Sequence, residues 1–388
     1  MPIADFQFAD CKESTKRVGN RKSTIGNRQS AIPMRVIIAA GGTGGHIFPG
    51  VAIARELKRR DSSTQILFVG TARGLETKIV PREGFDLELI RVGALKGVSI
   101  FERLRSLFGL PMSFVAALRI LRRFKPDVVI GVGGYSSGPT LLMAAFRRIP
   151  TMVVEPNAMP GFTNRVLARF VNAAALSFAD AQKYFGDRGV VTGNPVRLDF
   201  AHLNPKSRGE KLSVLIFGGS QGARAINRAI IEALPSLSAK KDRLAITHQT
   251  GEADFEMVTR AYDEAGFKDA DVKAFIHDMA DQFARADVLI CRSGATTAAE
   301  VAAAGKAAIF IPFPFATDDH QRRNAEAFER VGAGRMILQK DLTPGRLVEE
   351  LSRLIEHPEE IDRMESASRG LGRADSTEKA VDLAIGLI

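Results

Sequence analysis

The chain has 388 residues, of which 45% are hydrophobic and 25% charged, a composition typical of a globular protein with room for two domains. Its formal net charge of +10 indicates an anionic partner, while the absence of tryptophan and the presence of only three tyrosines argue against single-stranded nucleic acid. The two cysteines form no disulfide framework and no apolar run approaches roughly 18 residues, so we expect a reducing cytoplasm and at most peripheral membrane contact.

The first 33 residues differ from the rest of the chain. They are rich in Arg, Lys, Ser, Asn and Gln and show little hydrophobic periodicity. The apolar part is too short for a signal peptide. We therefore predict that residues 1–33 are disordered, or a mis-assigned extension that is not translated, with the true start at Met34. The intact mass of the native protein distinguishes these possibilities.

A buried strand is predicted at 36–40, followed by a glycine turn at 41–45, His46 and a helix from about Phe48 to Arg60. Such a turn lets a phosphate or sugar approach the backbone at a helix N-terminus. The turn matches neither a dinucleotide fingerprint nor a P-loop, and the strand at 65–69 has no acidic residue after it for a ribose, so no dinucleotide cofactor is expected. A tight turn without a ligand explains this loop alone equally well.

Two further strands in the first half, at 126–130 and 151–154, are also followed by turns rich in Gly or Pro. In a parallel sheet all three turns lie at the same edge, which predicts a cleft there. Residues 112–124 have the spacing of an amphipathic helix on the core. Residues 98–111 mix apolar and cationic side chains, a pattern that suits docking on an anionic bilayer.

The second half repeats this arrangement after an interdomain connection at 191–197. A strand at 212–217, a glycine turn at 218–222 and a helix at 223–233 indicate a second Rossmann-like half. Strands at 245–247 and 272–276 follow.

The stretch Ala286–Asn324 then gives strands at 288–290 and 307–311, joined by a short helix that Ser293 is predicted to cap and Gly305 to end. Thr343, with Pro344 after it, predicts the start of another helix. The last helix is expected from about Thr377. The six histidines are scattered without ligand spacing, so we predict no protein-bound metal.

Several long motifs occur in an order that resembles the MurG family of GT-B glycosyltransferases. The motifs are Gly41-Gly42-Thr43-Gly44-Gly45-His46, Gly133-Gly134-Tyr135-x-Ser137-Gly138-Pro139, Gly193-Asn194-Pro195-Val196-Arg197, Gly218-Gly219-Ser220-Gln221-Gly222-Ala223, Phe275-Ile276-x-Asp278-Met279, Cys291-Arg292-Ser293-Gly294-Ala295 and Asp319-His320-Gln321-x-x-Asn324-Ala325. The resemblance runs from Met34 essentially to the C-terminus. It implies an α/β GT-B fold, in which two Rossmann-like parallel-sheet domains face a deep cleft. The acceptor domain is expected at 34–196, joined by the last helix at about 371–388, and the donor domain at 197–370.

The resemblance implies inverting, metal-independent transfer of GlcNAc from UDP-GlcNAc to the 4-hydroxyl of MurNAc in lipid I, which gives lipid II for peptidoglycan synthesis. It implies no cofactor, no nucleic acid partner and peripheral attachment to an anionic membrane at the cytoplasmic face of the inner membrane. The alternatives are another GT-B enzyme, such as a diacylglycerol glycosyltransferase or a UDP-GlcNAc epimerase, and a non-catalytic basic membrane or nucleic acid binder.

The resemblance also implies roles for individual residues. Ile276 meets the uracil through its backbone, Glu300 accepts hydrogen bonds from the ribose, and Arg197 contacts the diphosphate. The other substrate contacts that it implies are Ser220 and the turn Ala295, Thr296, Thr297, Ala298 and Ala299 near the diphosphate, Gln321 on the GlcNAc hydroxyls, and Thr43, Gly44, Gly45 and Asn157 along the sugar and acceptor side.

The general base must remove a proton from the attacking 4-hydroxyl. His46 beside the glycine turn is our catalytic candidate, although a histidine that orients the loop fits as well, and Glu155 is a second candidate. The family often has His-Glu-Gln-Asn where this chain has Val154-Glu155-Pro156-Asn157. Roles of that His and Gln are therefore not carried over.

Overall fold

In the computed structural model the described residues are 33–72, 74–92, 100–157, 159–201, 203, 208–219, 222–316 and 319–388, and within 100–110 the helix is described without its side chains. The expectations for residues 1–32, for Ser220 and for the apolar and basic side chains of 98–110 lie outside these residues.

The first half of the chain forms a seven-stranded parallel sheet with the order β3-β2-β1-β4-β5-β6-β7. Its central strands are continuous apolar runs because helices cover both faces. The strands are β1 Arg35–Ala40, β2 Gln65–Gly70, β3 Asp86–Leu89, β4 Val128–Gly133, β5 Thr151–Glu155, β6 Ala173–Leu176 and β7 Gly189–Val191.

The second half forms a six-stranded parallel sheet with the order β10-β9-β8-β11-β12-β13. The first six positions of the first sheet have the same order, so the predicted repetition of a Rossmann-like half is confirmed. The strands are β8 Leu212–Phe217, β9 Leu244–Gln249, β10 Asp271–Lys273, β11 Val288–Cys291, β12 Ala307–Phe310 and β13 Gly334–Met336.

Helices connect the strands and cover both sheets. They are α1 Gly44–Arg60, α2 Glu76–Arg82, α3 Ile100–Phe124, α4 Ser137–Phe146, α5 Phe162–Leu167, α6 Gln182–Phe185, α7 Leu198–Ala201, α8 Arg224–Leu237, α9 Phe255–Glu264, α10 Met279–Arg285, α11 Ala295–Ala304, α12 His320–Arg330, α13 Pro344–Glu356, α14 Pro358–Leu371 and α15 Ser376–Ile385. None of the helices in the described part is long and apolar enough to cross a bilayer.

Each sheet has a hydrophobic core on both faces because successive strand residues point in opposite directions. In β1, Ile38 belongs to one core and Ile37 to the other. In β8, Ile216 and Leu215 are divided in the same way. The architecture is therefore two three-layer α/β units, as the sequence predicts.

The last helix, α15, returns to the first sheet. Ala380, Val381 and Ala384 are buried in the core that contains β1 and α1. At its start, the Thr377 hydroxyl donates to the carbonyl of Val196 (2.7 Å) and accepts from the Val196 N–H (3.0 Å). The start of the last helix is thus bound to the connection that links the two sheets.

Two predicted helix ends are confirmed. Gly305 ends α11 in the left-handed conformation with φ 60°, and the Thr343 hydroxyl accepts the N–H of Arg346 at the start of α13. The prediction that Ser293 caps α11 is wrong. Its hydroxyl donates to the carbonyl of Gln321 at 2.8 Å, so it connects the loop after β11 to the first turn of α12 instead.

Several element boundaries also differ from the sequence prediction, and three of these differences concern the residues around the cleft or the long helix. α1 begins at Gly44, four residues before the expected start, so His46 lies in its first turn. α3 is one helix from Ile100 to Phe124, with Pro111 inside it. β10 ends at Lys273, and the remaining expected strand residues form a loop that leads to α10.

Candidate active site

The carboxyl edges of the two sheets line one cleft with a volume of about 2420 Å³. Residues Met34–Ile388 form one compact unit that contains both sheets. The predicted site residues that line this cleft are Thr43, Gly44, Gly45, His46, Asn157, Arg197, Ile276, Ala295, Thr296, Thr297, Glu300 and Gln321.

Two of the predicted site residues that the structure describes, Ala298 and Ala299, do not line the cleft. They lie on α11, and the turn of about 100° per residue directs only part of a helix toward a ligand. Ala298 is buried in the core under the second sheet, beside residues such as Phe310. A contact of the Ala298 side chain with a substrate in the cleft is therefore not supported.

The cleft lies at the switch point of each sheet, where neighbouring strands lead to helices on opposite faces. In the first sheet these strands are β1 and β4, followed by the turns 41–43 and 134–136. In the second sheet they are β8 and β11, followed by a turn whose described residues are 218, 219, 222 and 223 and by the turn 292–294. All four turns border the cleft.

The two turns of the first sheet pack directly against each other. Gly134 has φ 84°, and a Cβ atom on it would lie 2.3 Å from the carbonyl oxygen of Gly41. Glycine is required at this position for both reasons. This close contact fixes the glycine turn against the end of β4.

His46 is partly buried in the first turn of α1. A Cβ atom on Gly133 would lie 2.6 Å from Cδ2 of the imidazole, so the ring packs against the backbone at the end of β4. Burial lowers the pKa of His46, although a backbone hydrogen bond with Gly41 and the charge of Glu76 oppose this shift. The imidazole is therefore held neutral near pH 7, as a general base must be.

Glu76 is a site residue that sequence reasoning missed. It is fully buried, and its carboxylate accepts the N–H of Gly42 at 2.9 Å and the N–H and hydroxyl of Thr71 at 2.7 and 2.9 Å. Cβ atoms on Gly70 or Gly74 would overlap the Glu76 side chain. The signal available in the sequence was therefore the pair of glycines at the end of β2 and after it, Gly70 and Gly74, which leave room for the side chain of Glu76.

Glu155 is a buried carboxylate that organises the loop after β5. It accepts the N–H and side-chain amide of Asn157 at 2.9 and 3.2 Å, the side-chain amide of Asn164 at 2.8 Å and the N–H of Gly161 at 3.3 Å. Burial raises the pKa of Glu155, and these donors lower it. The bonds orient Asn157 toward the cleft and favour a structural role for Glu155 over that of a base.

Gln249 joins two loops of the second half and was also missed. It is 1% exposed at the end of β9. Its amide N–H donates to the carbonyl of Gly219 at 2.8 Å, and its amide oxygen accepts the N–H of Ile276 at 2.9 Å. Because that N–H is already bonded, a ligand at Ile276 has to contact its carbonyl or side chain.

A second hydrogen-bond network supports the glycine turn that follows β8 and contains Gly219 and Gly222. The side-chain amide of Asn227 donates to the carbonyl of Thr250 at 2.9 Å, and its amide oxygen lies 3.1 Å from Nε2 of His248. Burial lowers the pKa of His248 to about 3, so this histidine is neutral. A Cβ atom on Gly222 would lie 2.0 Å from the Thr250 oxygen. The turn is thus packed tightly against the end of β9.

Arg197 and Glu300 meet in the floor of the cleft with 3.5 Å between Nη2 and Oε1, and both side chains are 9% exposed. The guanidinium lies over the rings of Phe48 and Phe200, 4.6 and 4.7 Å from their centroids. Burial raises the pKa of Glu300, and Arg197 opposes this shift. The Arg197 Nε is buried without a hydrogen-bond partner among the described residues.

Arg292, after β11, was not selected individually from the sequence. It donates to the carbonyls of Ile311 and Pro312 at 2.9 and 3.1 Å, and burial lowers its pKa to about 10. The amide oxygen of Gln321 accepts the N–H of Phe313 at 3.0 Å, and the Arg292 guanidinium lies 5.4 Å from the centroid of the Phe313 ring, so all three residues border the cleft wall. Among the described residues, no three His, Cys, Asp or Glu side chains are grouped as possible metal ligands.

The fold and the divided cleft define a GT-B glycosyltransferase. Family models agree: "Glycosyltransferase family 28 N-terminal domain" matches residues 36–176, and "Glycosyltransferase family 28 C-terminal domain" matches residues 213–383.

Curated relatives show which kind of glycosyltransferase this chain resembles. An enzyme of Myxococcus xanthus (strain DK1622) is 46% identical over 92% of this chain and 93% of its own length. One of Syntrophus aciditrophicus (strain SB) is 48% identical over 92% and 99%. Both are named UDP-N-acetylglucosamine--N-acetylmuramyl-(pentapeptide) pyrophosphoryl-undecaprenol N-acetylglucosamine transferase.

Solved structures agree with these relatives. The MurG of Acinetobacter baumannii is 32% identical, with a TM-score of 0.69 over 91% of this chain and 100% of that chain. The chain belongs to the MurG family. A UDP-GlcNAc 2-epimerase from Neisseria meningitidis, bound to UDP-GlcNAc, is similar in fold alone, at 14% identity and a TM-score of 0.65 over 91% and 100% of the two chains.

Proposed function

We propose that this protein transfers GlcNAc from UDP-GlcNAc to the 4-hydroxyl of MurNAc in lipid I, with inversion and without a metal ion. The observation that carries this proposal is the 46–48% identity, over nearly full length, to relatives named for this transfer. The cleft supports it, because both halves contribute polar side chains and glycine turns. A non-catalytic binding protein needs such a surface on only one of the two halves.

The second half, residues 197–370, is proposed as the donor domain. The uracil is placed at Ile276, the ribose at Glu300 and the diphosphate between Arg197 and the N-terminus of α11, where ten helical residues direct their dipole at the anion. Arg197 then stabilises the leaving UDP in place of a metal. The remaining proposed donor contacts are Ser220, which lies outside the described residues, and Gln321 on the sugar hydroxyls.

The first half, residues 34–196 together with the last helix, is proposed as the acceptor domain. His46 removes the proton from the attacking hydroxyl, and the turn Thr43–Gly45 and Asn157 line the path of the acceptor sugar. The neutral imidazole of His46 supports this assignment, because its lone pair is available near pH 7.

The reaction is tested with radiolabelled UDP-GlcNAc and two acceptors in parallel, a lipid I analogue and diacylglycerol. We expect label in the lipid I analogue, with inverted anomeric configuration and undiminished rate in the presence of a chelator. Transfer to diacylglycerol alone contradicts the proposal and selects the other GT-B activity. Conversion to UDP-ManNAc without an acceptor selects an epimerase.

Replacing Glu300 tests the donor site. Glu300→Ala removes a carboxylate that accepts from the ribose hydroxyls, and the loss of roughly 1.5–3 kcal/mol of charged hydrogen bonding raises the donor KM by about 10–100-fold. Glu256→Ala, on the exposed surface of α9, is the matched control and should leave the KM unchanged. An unchanged KM in the Glu300 variant excludes a ribose contact.

The pH dependence tests His46. A base with a lowered pKa stays unprotonated until the pH falls below the ordinary value of 6.5, so the acidic limb of kcat should have its midpoint below pH 6.5. His46→Ala should lower kcat by about 100-fold or more and remove that limb. If instead kcat holds and the melting temperature falls, His46 orients the glycine turn.

Attachment to the membrane is proposed through an exposed apolar and basic surface formed by α4, α5 and the residues that directly follow these two helices, which we name the α4–α5 face. Its apolar members are Phe146, Phe162, Val166 and Phe170, which are 44–65% exposed, and its basic members are Arg147, Arg148, Arg165 and Arg169. None of these arginines forms an ion pair with another described residue. Cations beside apolar rings suit an anionic bilayer, and we propose the cytoplasmic face of the inner membrane.

The position of this face fits a lipid-linked acceptor. Phe162 and Arg165 border the cleft on the side of the first sheet. A bilayer in contact with the α4–α5 face therefore lies next to the acceptor half. The sugar of a lipid-linked acceptor then reaches His46 while its lipid chain stays in the bilayer.

Vesicle sedimentation tests the α4–α5 face. Phe146→Ser/Phe170→Ser should weaken binding to vesicles with anionic lipid by at least about 10-fold, because two apolar side chains no longer enter the interface. Binding of the unmodified protein should weaken at high salt. Phe315→Ser is the control, since Phe315 is 83% exposed on a loop of the second half. Equal binding by the double variant and the control contradicts the proposed face.

A further inference from the structure

The two halves of the cleft are joined by a partly buried hydrogen bond. The hydroxyl of Thr296, in the first turn of α11, donates to the carbonyl of Gly45 in the glycine turn of the first half at 2.9 Å. Thr296 is only 7% exposed. The halves also meet where Arg197 stacks on Phe48. They meet again where Arg82 contacts His277, and this contact is exposed, so water competes for it more readily.

The connection between the sheets meets the same hydroxyl. The side-chain amide of Asn194 points at the Thr296 oxygen from 3.5 Å, and Asn194 is 7% exposed. The amide oxygen of Asn194 is buried without a hydrogen-bond partner among the described residues. Because the Thr296 oxygen accepts from the Asn194 amide, the hydroxyl proton is donated to the carbonyl of Gly45.

Both ends of this bond adjoin groups of the proposed reaction. Gly45 immediately precedes His46, and its carbonyl belongs to the first turn of α1. Thr296 is the second residue of α11, whose N-terminus faces the proposed diphosphate. Since the hydroxyl donates its proton to Gly45, it cannot also donate to a phosphate oxygen, and that contact falls to the backbone N–H groups at the start of α11.

We propose that Thr296 is a positioning residue, which links the donor helix to the turn that carries His46 and so sets the base opposite the sugar. This inference rests on the proposed transfer reaction. It assigns the Thr296 side chain to the alignment of the two halves and not to the affinity for UDP.

The test compares two substitutions of the same residue. Thr296→Val keeps the shape but leaves the Gly45 carbonyl without this donor, whereas Thr296→Ser keeps the hydroxyl. We expect the valine variant to lower kcat by about 5- to 20-fold, the effect of losing one partly buried hydrogen bond. Its dissociation constant for UDP should change by less than about 2-fold, and the serine variant should recover most of the kcat. Weaker UDP binding that matches the loss of kcat overturns the proposal, as do equal rates for the two variants.

A double-mutant cycle shows whether Thr296 acts through His46. In a His46→Ala background, Thr296→Val should have little further effect on kcat, because the group that it positions is gone. Full additivity of the two effects contradicts the proposal.

A third measurement is independent of turnover. Spin labels at Ser62 and Glu256, in a Cys11→Ser background, report the distance between the halves in the presence of UDP; the remaining Cys291 is buried. The distribution should be broader for Thr296→Val than for Thr296→Ser. If the unmodified enzyme fails to act on lipid I while this difference persists, the proposed reaction fails and the link between the halves stands. Identical distributions for both variants overturn the link.

Discussion

The parallel alignment of the strands is the constraint on which the whole site depends. In each sheet the register of the central pair, β1 with β4 and β8 with β11, brings two strand ends to the same edge. The helices that follow these strands leave on opposite faces, so their turns diverge and form a crevice. Two such crevices face one cleft, which gives each half its own set of ligand-facing turns.

Turns that face a ligand cannot satisfy their backbone groups by regular pairing, and buried side chains replace that pairing. Glu76 accepts from the first glycine turn, Glu155 from the loop after β5, and Gln249 connects two loops of the second half. A buried carboxylate is costly unless donors surround it, and here several backbone N–H groups do. These side chains therefore hold the turns rigid while leaving their outer surface open to substrate.

Local features were predictable from the sequence because they depend on neighbouring residues. The apolar runs gave the central strands, Gly305 and Thr343 marked helix ends, and the glycine turns marked the cleft. The failures involve partners far apart in the chain. Ser293 bonds to the backbone of Gln321 and not to its own helix, and Glu76 reaches back 34 residues to Gly42. Hydrophobic pattern and capping rules carry no information about such distant partners.

The ion pair between Arg197 and Glu300 affects which ligands the donor site can bind favourably. At 3.5 Å and 9% exposure, each compensates the charge of the other. If a diphosphate drew Arg197 away by itself, Glu300 would remain as a buried, unpaired carboxylate, at a cost of about 3–5 kcal/mol. Ribose hydroxyls that bond to Glu300 at the same time offset that cost. The site should therefore favour a ligand that carries both groups over a free diphosphate or a free nucleoside.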